Sequence, residues 1–504
     1  MMPPSPTDSA RRNSSSPSIL ERVQANTRSY WPEWITLAAY SALVAFAIPY
    51  HEPWADEAQA WQLARSLSLR SLFQTYIRYE GSPGLWHFLL WILTRAHVSY
   101  GGLHWFCGAI GVAATALLVF KSPFPRYLRL SFPFTFFLLF QYAVVARSYV
   151  LVPILLYLIA FSWKKSPVFL ALLLGLLANV ALHAAMISGG LALVYALLCM
   201  QARMPCVDVS PRRKLLALAT LVSLYTIAVF TAWPPPDQGF KTATAPPVIA
   251  LAINFIELCG PWGMAIPFWI FVSLLLRARS ASIYLLPFLL FVSFSLAVHV
   301  YIWHSGLLVP LAISILWITW PAPNHVGSKL ESVGRSGLVG IIALQICWAA
   351  YALEFDHYHA YSPDQAAAEF LRPFARAGSS IAVTYLDDSV CQACRSVGLM
   401  PYFEQSPFIN EPEPFWSWST HNPAENLFQQ LLPTKPEIVV VEAGDVHSNR
   451  PIDLQNAKVS QVIASGYVFT HVFCGEMPEG FSLKKKSCHL IFQRVDREQE
   501  PSPK

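Results

Sequence analysis

Residues 31–57 read WPEWITLAAYSALVAFAIPYHEPWADE. The run from Trp31 to Tyr50 is apolar and about as long as the roughly 20 residues a helix needs to cross a bilayer. Just beyond it stand Asp56 and Glu57. Carboxylates at a membrane boundary are costly unless they are hydrogen-bonded, paired or used in chemistry, so this pair marks a candidate site. The competing reading is the acidic first turn of a surface helix, where negative side chains suit the positive end of the helix dipole. Composition sets the class. Of 504 residues 54% are hydrophobic and only 13% charged, where soluble domains carry about 25% charged residues. Mean hydropathy is +0.41. Seventeen Trp and thirty-two Phe suit a chain that meets both lipid and its interface. Together these features predict an α-helical polytopic membrane protein. The formal charge of +5 does not point to nucleic acid, because the basic residues are scattered over short loops.

Residues 1–30 are Ser-, Pro- and Arg-rich and read as a disordered cytoplasmic tail. The first apolar run lies far from Met1 and is long, so it reads as a retained span rather than a cleaved signal. Further apolar runs cover 102–120, 127–146, 148–163, 166–182, 185–202, 214–233, 262–276, 281–299, 306–320 and 337–353. Basic clusters separate them, among them Lys164 and Lys165, Arg212 to Lys214, Arg277 with Arg279, and Lys329 with Arg335. The positive-inside rule assigns such clusters to the cytoplasm, together with the basic N-terminus. Segment 83–98 then cannot cross, and reads as a re-entrant or interfacial helix. The expectation is about eleven spans, with the region after residue 353 on the outer side. That topology gathers Asp56, Glu57, Glu80, Arg147, Tyr149, His183, His299, Tyr301 and His304 at one outer face, lining a candidate cavity for charged chemistry.

Between the first run and residue 82 lies the outer loop 51–82. Its stretch DEAQAWQLARSLSLRSLFQTYIRY carries apolar residues at helical spacing and reads as one or two amphipathic helices lying in the interface. The loop closes on Glu80-Gly81-Ser82-Pro83-Gly84, where Gly and Pro permit a tight turn. An Asp-Glu pair after the first span, an amphipathic outer loop and a Pro-containing turn into an aromatic helix resemble the GT-C membrane glycosyltransferases. Within them the pattern looks most like the glycosyltransferase-39-like branch, which includes protein O-mannosyltransferases and aminoarabinose transferases acting on lipid A. Ala146-Arg147-Ser148-Tyr149-Val150-Leu151 is similar to that family's Ala-Arg-x-Tyr-x-Leu. Tyr301-Ile302-Trp303-His304, followed by Leu307-Leu308-Val309-Pro310, resembles its late Arg-Tyr…Pro segment, with histidine where arginine is common. One departure stands out: many members carry Lys- or His-Pro-Pro at the turn, and here it is Ser82-Pro83-Gly84. Arg78, His87 and Arg147 are the candidates to replace the missing basic contact.

The resemblance covers residues 31–353 and implies a GT-C-like membrane domain. It implies transfer of a sugar from a polyprenyl-phosphate donor to a lipid, glycan or protein acceptor outside the cytoplasm, usually with inversion. Such chemistry needs a base for the attacking hydroxyl and a countercharge for the leaving phosphate. Asp56 is the expected base, with Glu57 orienting it or touching the acceptor. Arg147 is the expected phosphate contact, because a guanidinium pairs bidentately with phosphate oxygens; snorkelling at a helix end is the competing reading. Tyr149, Glu80, His183 and His304 are expected to bind donor or phosphate, though a lone histidine is more often a packing residue. Asp56 and Glu80 together are the candidate ligands for a divalent metal, Mg or Mn, since hard cations prefer oxygen ligands. Two other functions compete: a transporter or flippase of a lipid-linked saccharide, and a non-catalytic lipid-binding relative.

After residue 353 the sequence becomes mixed and polar. The helical pattern at Asp364–Leu371 and the strand-like runs Ser380–Tyr385, Glu437–Val441, Tyr467–Phe473 and His489–Gln493 predict a small extracytoplasmic α/β domain over 354–504. Cys391-x-x-Cys394, Cys474 and Cys488 lie in it. In an oxidising compartment an even number points to disulfides, with Cys474–Cys488 as a hairpin staple; a zinc ribbon would need a second C-x-x-C, which is absent. Beyond the tail the chain has no Asn-x-Ser/Thr sequon, which fits a bacterial cytoplasmic membrane better than the endoplasmic reticulum.

Overall fold

A computed structural model describes residues 30–201, 203, 209–238, 246–257, 265–298, 300–321, 327–386, 396–411, 413–416, 434–445, 457–479 and 483–495. The N-terminal tail, Cys391, Cys394 and His299 lie outside the described residues. The chain is mostly helical, with a small C-terminal sheet. Helix α1, Trp31–Ala47, is followed by α2, Ala55–Ser66, and α3, Leu85–Arg95. Then come α4, Tyr100–Lys121; α5, Leu151–Ser162; α6, Pro167–Ala178; α7, Leu182–Met200; and α8, Pro211–Ala232. The helical part ends with α9, Ala265–Ala278; α10, Leu286–Ala297; α11, Leu308–Ile318; and α12, Lys329–Tyr358. Among the described residues four helices, α4, α7, α8 and α12, are long and apolar enough to cross a membrane; several others are apolar but shorter. The 11 residues of α3 reach about 16 Å, short of the roughly 30 Å hydrocarbon core.

The apolar run 127–146 is not one helix. It breaks into short turns at Arg126–Ser131, Phe132–Phe134 and Phe137–Gln141, with Thr135 extended at ψ 150°. Pro133 is the cause: it has no N–H for the carbonyl of Arg129, so the helix loosens. The freed groups are recovered locally, the Thr135 hydroxyl donating to the Phe132 carbonyl at 2.8 Å. Tyr40 of α1 donates to Leu138 O across the bundle at 2.7 Å. The break lets the chain turn at Ala146–Arg147 rather than at a helix end.

A second difference concerns α2. Instead of lying on lipid, its residues from Glu57 to Ala64 are all buried. On one side α3 covers it, Thr94 donating to Ala64 O at 3.3 Å and Arg95 to Leu67 O at 2.9 Å. On the other, the C-terminal region does so: Arg65 donates to Phe403 O at 3.1 Å, and the Gln59 amide exchanges hydrogen bonds with the Trp416 backbone at 3.0 and 3.1 Å. The amphipathic pattern is real, but protein covers the face assigned to lipid.

The C-terminal residues form α13, Asp364–Arg376; β1, Ile381–Tyr385; β2, Ile438–Asp445; α14, Ala457–Ala464; β3, Tyr467–Glu479; and β4, Leu483–Arg494. The sheet order is β1-β2-β4-β3, with β1 and β2 parallel and the other pairs antiparallel. Its two faces carry separate cores, one under α13 around Leu371, Ile381 and Val440, the other around Val441, Val462 and Phe492. Cys474 and Cys488 stand opposite each other on β3 and β4 and form the disulfide expected from the sequence.

Candidate functional site

The link from α1 to α2 is where the site is built. Trp54 is extended (φ −112°, ψ 178°) and its N–H is accepted by Glu57 one turn on, at 3.2 Å, which caps α2. Capping sets α2 so that Asp56 and Glu57, neighbours in sequence, face different surroundings. Glu57 points inward and is fully enclosed. Besides the Trp54 N–H it meets His104 Nε2 at 3.1 Å, the Ala146 N–H at 2.6 Å and His51 Nε2 at 3.5 Å. His51 in turn places Nδ1 3.2 Å from both carboxylate oxygens of Asp356 near the end of α12. Burial alone would raise the Glu57 pKa, but the bonds to His104 and His51 outweigh it and hold the carboxyl well below the ordinary range. Burial likewise opposes charge on His51, yet Asp356 and Glu57 push its pKa up to about 10. Glu57 and His51 are thus both charged within an enclosed network, Asp356–His51–Glu57–His104, that is saturated at Glu57. Glu57 has no free face for an acceptor. It ties α2, α4 and the 146–147 turn together.

Asp56 points the other way, with 31% of its side chain exposed, and pairs with Arg147 at 3.0 Å. The Ala146 N–H bond to Glu57 and the Arg147 bond to Asp56 fix the 146–147 turn against α2 through adjacent residues at both ends. The Arg147 guanidinium is ringed by aromatic faces: its carbon lies 5.6 Å from the Trp54 ring centre, 5.4 Å from Tyr149 and 5.6 Å from Trp303. Burial works against its charge, and Asp56 foremost holds its pKa above the ordinary value. This cage restrains the planar fork in a place where it can turn from a carboxylate to another planar or tetrahedral oxyanion.

From the cage the remaining expected residues continue in one direction. His304 meets Tyr149 edge-on at 5.6 Å and stacks on His183 at 4.3 Å with 17° between the rings. The His304 Nδ1 accepts the Tyr301 N–H at 2.9 Å, and Tyr301 packs on Trp303 at 4.5 Å. Asp56, Arg147, Tyr149, His304 and His183 therefore form one contiguous chain. Glu80 joins from the other side. It is held at the end of a short helix by Gly81, whose left-handed φ of 59° reverses the chain, and it accepts from Gln59 at 2.8 Å. Burial pushes its pKa up to about 7, and the charge of Asp56 adds to the rise.

Of the substitutes for the missing basic contact, only Arg147 is placed for the role. Arg78 is turned away onto the Trp233 carbonyl at 3.0 Å, and His87 is buried within α3. A divalent metal fits poorly at Asp56 and Glu80. Asp56 already carries a guanidinium, Glu80 takes a proton near neutrality, and no third ligand joins them: among the described residues no group of three His, Cys, Asp or Glu side chains converges as a metal ion requires. No site role was legible in the sequence for His51, His104 and Asp356, nor for the cage residues Trp54 and Trp303. An ionisable residue inside an apolar run was the available signal for His104; nothing local marks Asp356 as the partner of His51.

Glu80 gives a test independent of any activity. Its folded pKa lies above the ordinary 4.5, so the folded state binds a proton that the unfolded chain has lost, and stability falls as pH rises from about 4.5 to about 7. Glu80→Gln keeps an acceptor for Gln59 and removes the titration. The thermal midpoint of the variant is expected to fall less over that interval than that of the wild type. Parallel curves would mean that Glu80 titrates as an ordinary exposed carboxylate.

Comparison of the chain with protein-family models, with curated proteins and with solved structures gives no match in any of the three.

Proposed function

We propose that the chain is an integral membrane glycosyltransferase of the GT-C kind. In this reading about eleven spans, set by the positive-inside pattern, place residues 51–82 and the C-terminal sheet outside the cytoplasm of a bacterial inner membrane. A sugar passes from a polyprenyl-phosphate donor to the hydroxyl of a lipid, glycan or protein acceptor. The observation that carries the reading is the half-open Asp56–Arg147 pair, a carboxylate and a caged guanidinium at 3.0 Å beside a glutamate with a near-neutral pKa.

The chemistry follows from what each group can do. The donor phosphate competes with Asp56 for Arg147, and its bidentate match to the guanidinium turns Arg147 away from the carboxylate. Asp56, so released, accepts the proton of the attacking hydroxyl. The acceptor oxygen bonds to the anomeric carbon from the face opposite the phosphate, the sugar–phosphate bond breaks with its electron pair going to oxygen, and the configuration inverts. The polyprenyl phosphate gains negative charge, which Arg147 balances. The stacked histidines and Tyr149 line the side on which the donor lies. No step is assigned to a metal. Glu57 holds the 146–147 turn against α2 and keeps Asp56 and Arg147 within reach of each other.

Arg147→Lys tests the phosphate role. Lysine keeps the charge and loses the fork and its stacking, so kcat/KM for a polyprenyl-phosphate sugar is expected to drop about 10²–10³-fold, the range for losing one preorganised oxyanion contact. Inhibition by free polyprenyl phosphate should weaken in parallel. Wild-type turnover in this variant would remove Arg147 from the mechanism.

A further inference from the structure

Helix α12 joins two polar clusters. Near its C-terminal end Asp356 meets His51; near its N-terminal end Glu331 forms a second cluster about 38 Å away along a helix rising 1.5 Å per residue. There Arg279 donates to Glu331 at 3.1 Å and Arg335 at 2.7 Å, while Ser328 caps the Glu331 N–H at 3.1 Å. Both guanidiniums lie over Trp320, at 4.3 and 5.0 Å from the ring centre.

The charges do not balance. Among the described residues two guanidiniums share one carboxylate, which leaves one positive charge over, and the Arg279 side chain is only 4% exposed. Buried charges are normally paired, so an excess cation points to a missing anion. The hydrogen bonds agree: among the described residues Arg279 Nη1 and Arg335 Nε are buried without a partner. In the cluster of Glu33 with Arg126 and Arg129, by contrast, Arg126 is 51% exposed and open to water. One turn along α12 from Arg335, on the same face, Val339 exposes an apolar side chain at 42%. An oxyanion seated on Arg335 would therefore have hydrocarbon next to it.

We propose that Arg279, Arg335 and Trp320 bind the phosphodiester headgroup of an anionic membrane lipid, whose acyl chain lies along the exposed face of α12. The proposal rests on the membrane reading of the chain and not on the transferase reading. Basic pockets between membrane helices bind such headgroups in general, and two guanidinium forks supply the charge-assisted bonds.

The test is thermal unfolding of the purified chain in neutral detergent, titrated separately with phosphatidylglycerol, phosphatidylcholine and inorganic phosphate. Phosphatidylglycerol is expected to raise the midpoint saturably, phosphatidylcholine to have little effect, and inorganic phosphate to act only at far higher concentration. Arg335→Gln, at a partly exposed position, is expected to weaken the apparent phosphatidylglycerol affinity at least about tenfold, whereas Arg126→Gln keeps it. Equal shifts with the two lipids, or a full phosphatidylglycerol shift in Arg335→Gln, would overturn the site. Inorganic phosphate acting as strongly as phosphatidylglycerol would overturn the lipid as its occupant. If Arg335→Gln does not fold, native mass spectrometry of the wild type decides: retention of phosphatidylglycerol over phosphatidylcholine supports the proposal, and equal retention contradicts it.

Discussion

Asp56→Asn is expected to lower sugar transfer by about 10²–10⁴-fold, the usual contribution of a positioned general base, while the protein inserts and folds as before. Asparagine matches aspartate in shape and keeps an oxygen for Arg147, but it does not accept a proton from an attacking hydroxyl. On the structural side, Asp56 is 31% exposed and, among the described residues, forms its ion pair with Arg147. Arg147, 19% exposed, loses a countercharge but keeps an oxygen partner in asparagine, so a modest fall in thermal midpoint with the fold retained is expected. A retained fold with collapsed transfer would assign Asp56 to chemistry. Retained turnover would remove it from the role of base.

Glu57→Ala is expected to act in the opposite way, through the fold. The side chain is fully enclosed and receives the Trp54 and Ala146 N–H groups and His104, with His51 at 3.5 Å. Removing it strips the α2 cap and leaves a buried imidazolium short of one of its two carboxylates, a change that costs about 3–5 kcal/mol. A marked fall in thermal midpoint and in yield of folded protein is the expected readout. The pH dependence carries a sign. The Glu57 pKa is held below the ordinary carboxylate value, so its contribution is complete above about 4.5 and is lost only in strong acid. His51 titrates up at about 10, so its contribution is complete below about 6.5 and is lost as pH rises through about 10. With respect to this network the wild type should therefore be flat only between about pH 4.5 and 6.5, and should lose stability steadily as pH rises from about 6.5 to about 10. Glu57→Gln, which keeps an acceptor but not the charge, should fall between wild type and alanine. If Glu57→Ala is as stable as the wild type, the network does not hold the site together.

Much of the fold was legible in the sequence because it depends on local pattern. The four apolar runs near residues 380, 437, 467 and 489 became the four strands, since alternation and β-branching act within a few residues. Asp56 and Arg147 could be assigned to one face from charge placement alone. What stayed hidden depends on partners distant in sequence. The pattern of α2 reveals an amphipathic helix but not what covers it, and Gln59 finds the Trp416 backbone 357 residues away. The role of Glu57 is settled by Ala146, and that of His51 by Asp356, contacts that no spacing encodes. Trp54 and Trp303 are two of seventeen tryptophans, and nothing in their local sequence sets them apart. The break at 132–135 is a different matter: Pro133 was in plain view, and hydropathy averaged over the run hid it.

The central claim is that the Asp56–Arg147 pair serves group transfer from a lipid phosphate. The most direct measurement offers labelled polyprenyl-phosphate sugars, one at a time, to the purified protein in bilayer nanodiscs with membrane-extracted acceptors, and follows both sugar and carrier. The account predicts that with one donor the label moves to acceptor as an equal amount of free polyprenyl phosphate appears. Carrier that binds tightly but stays intact with every donor and acceptor would contradict it and leave a protein that carries or senses the lipid without cleaving it.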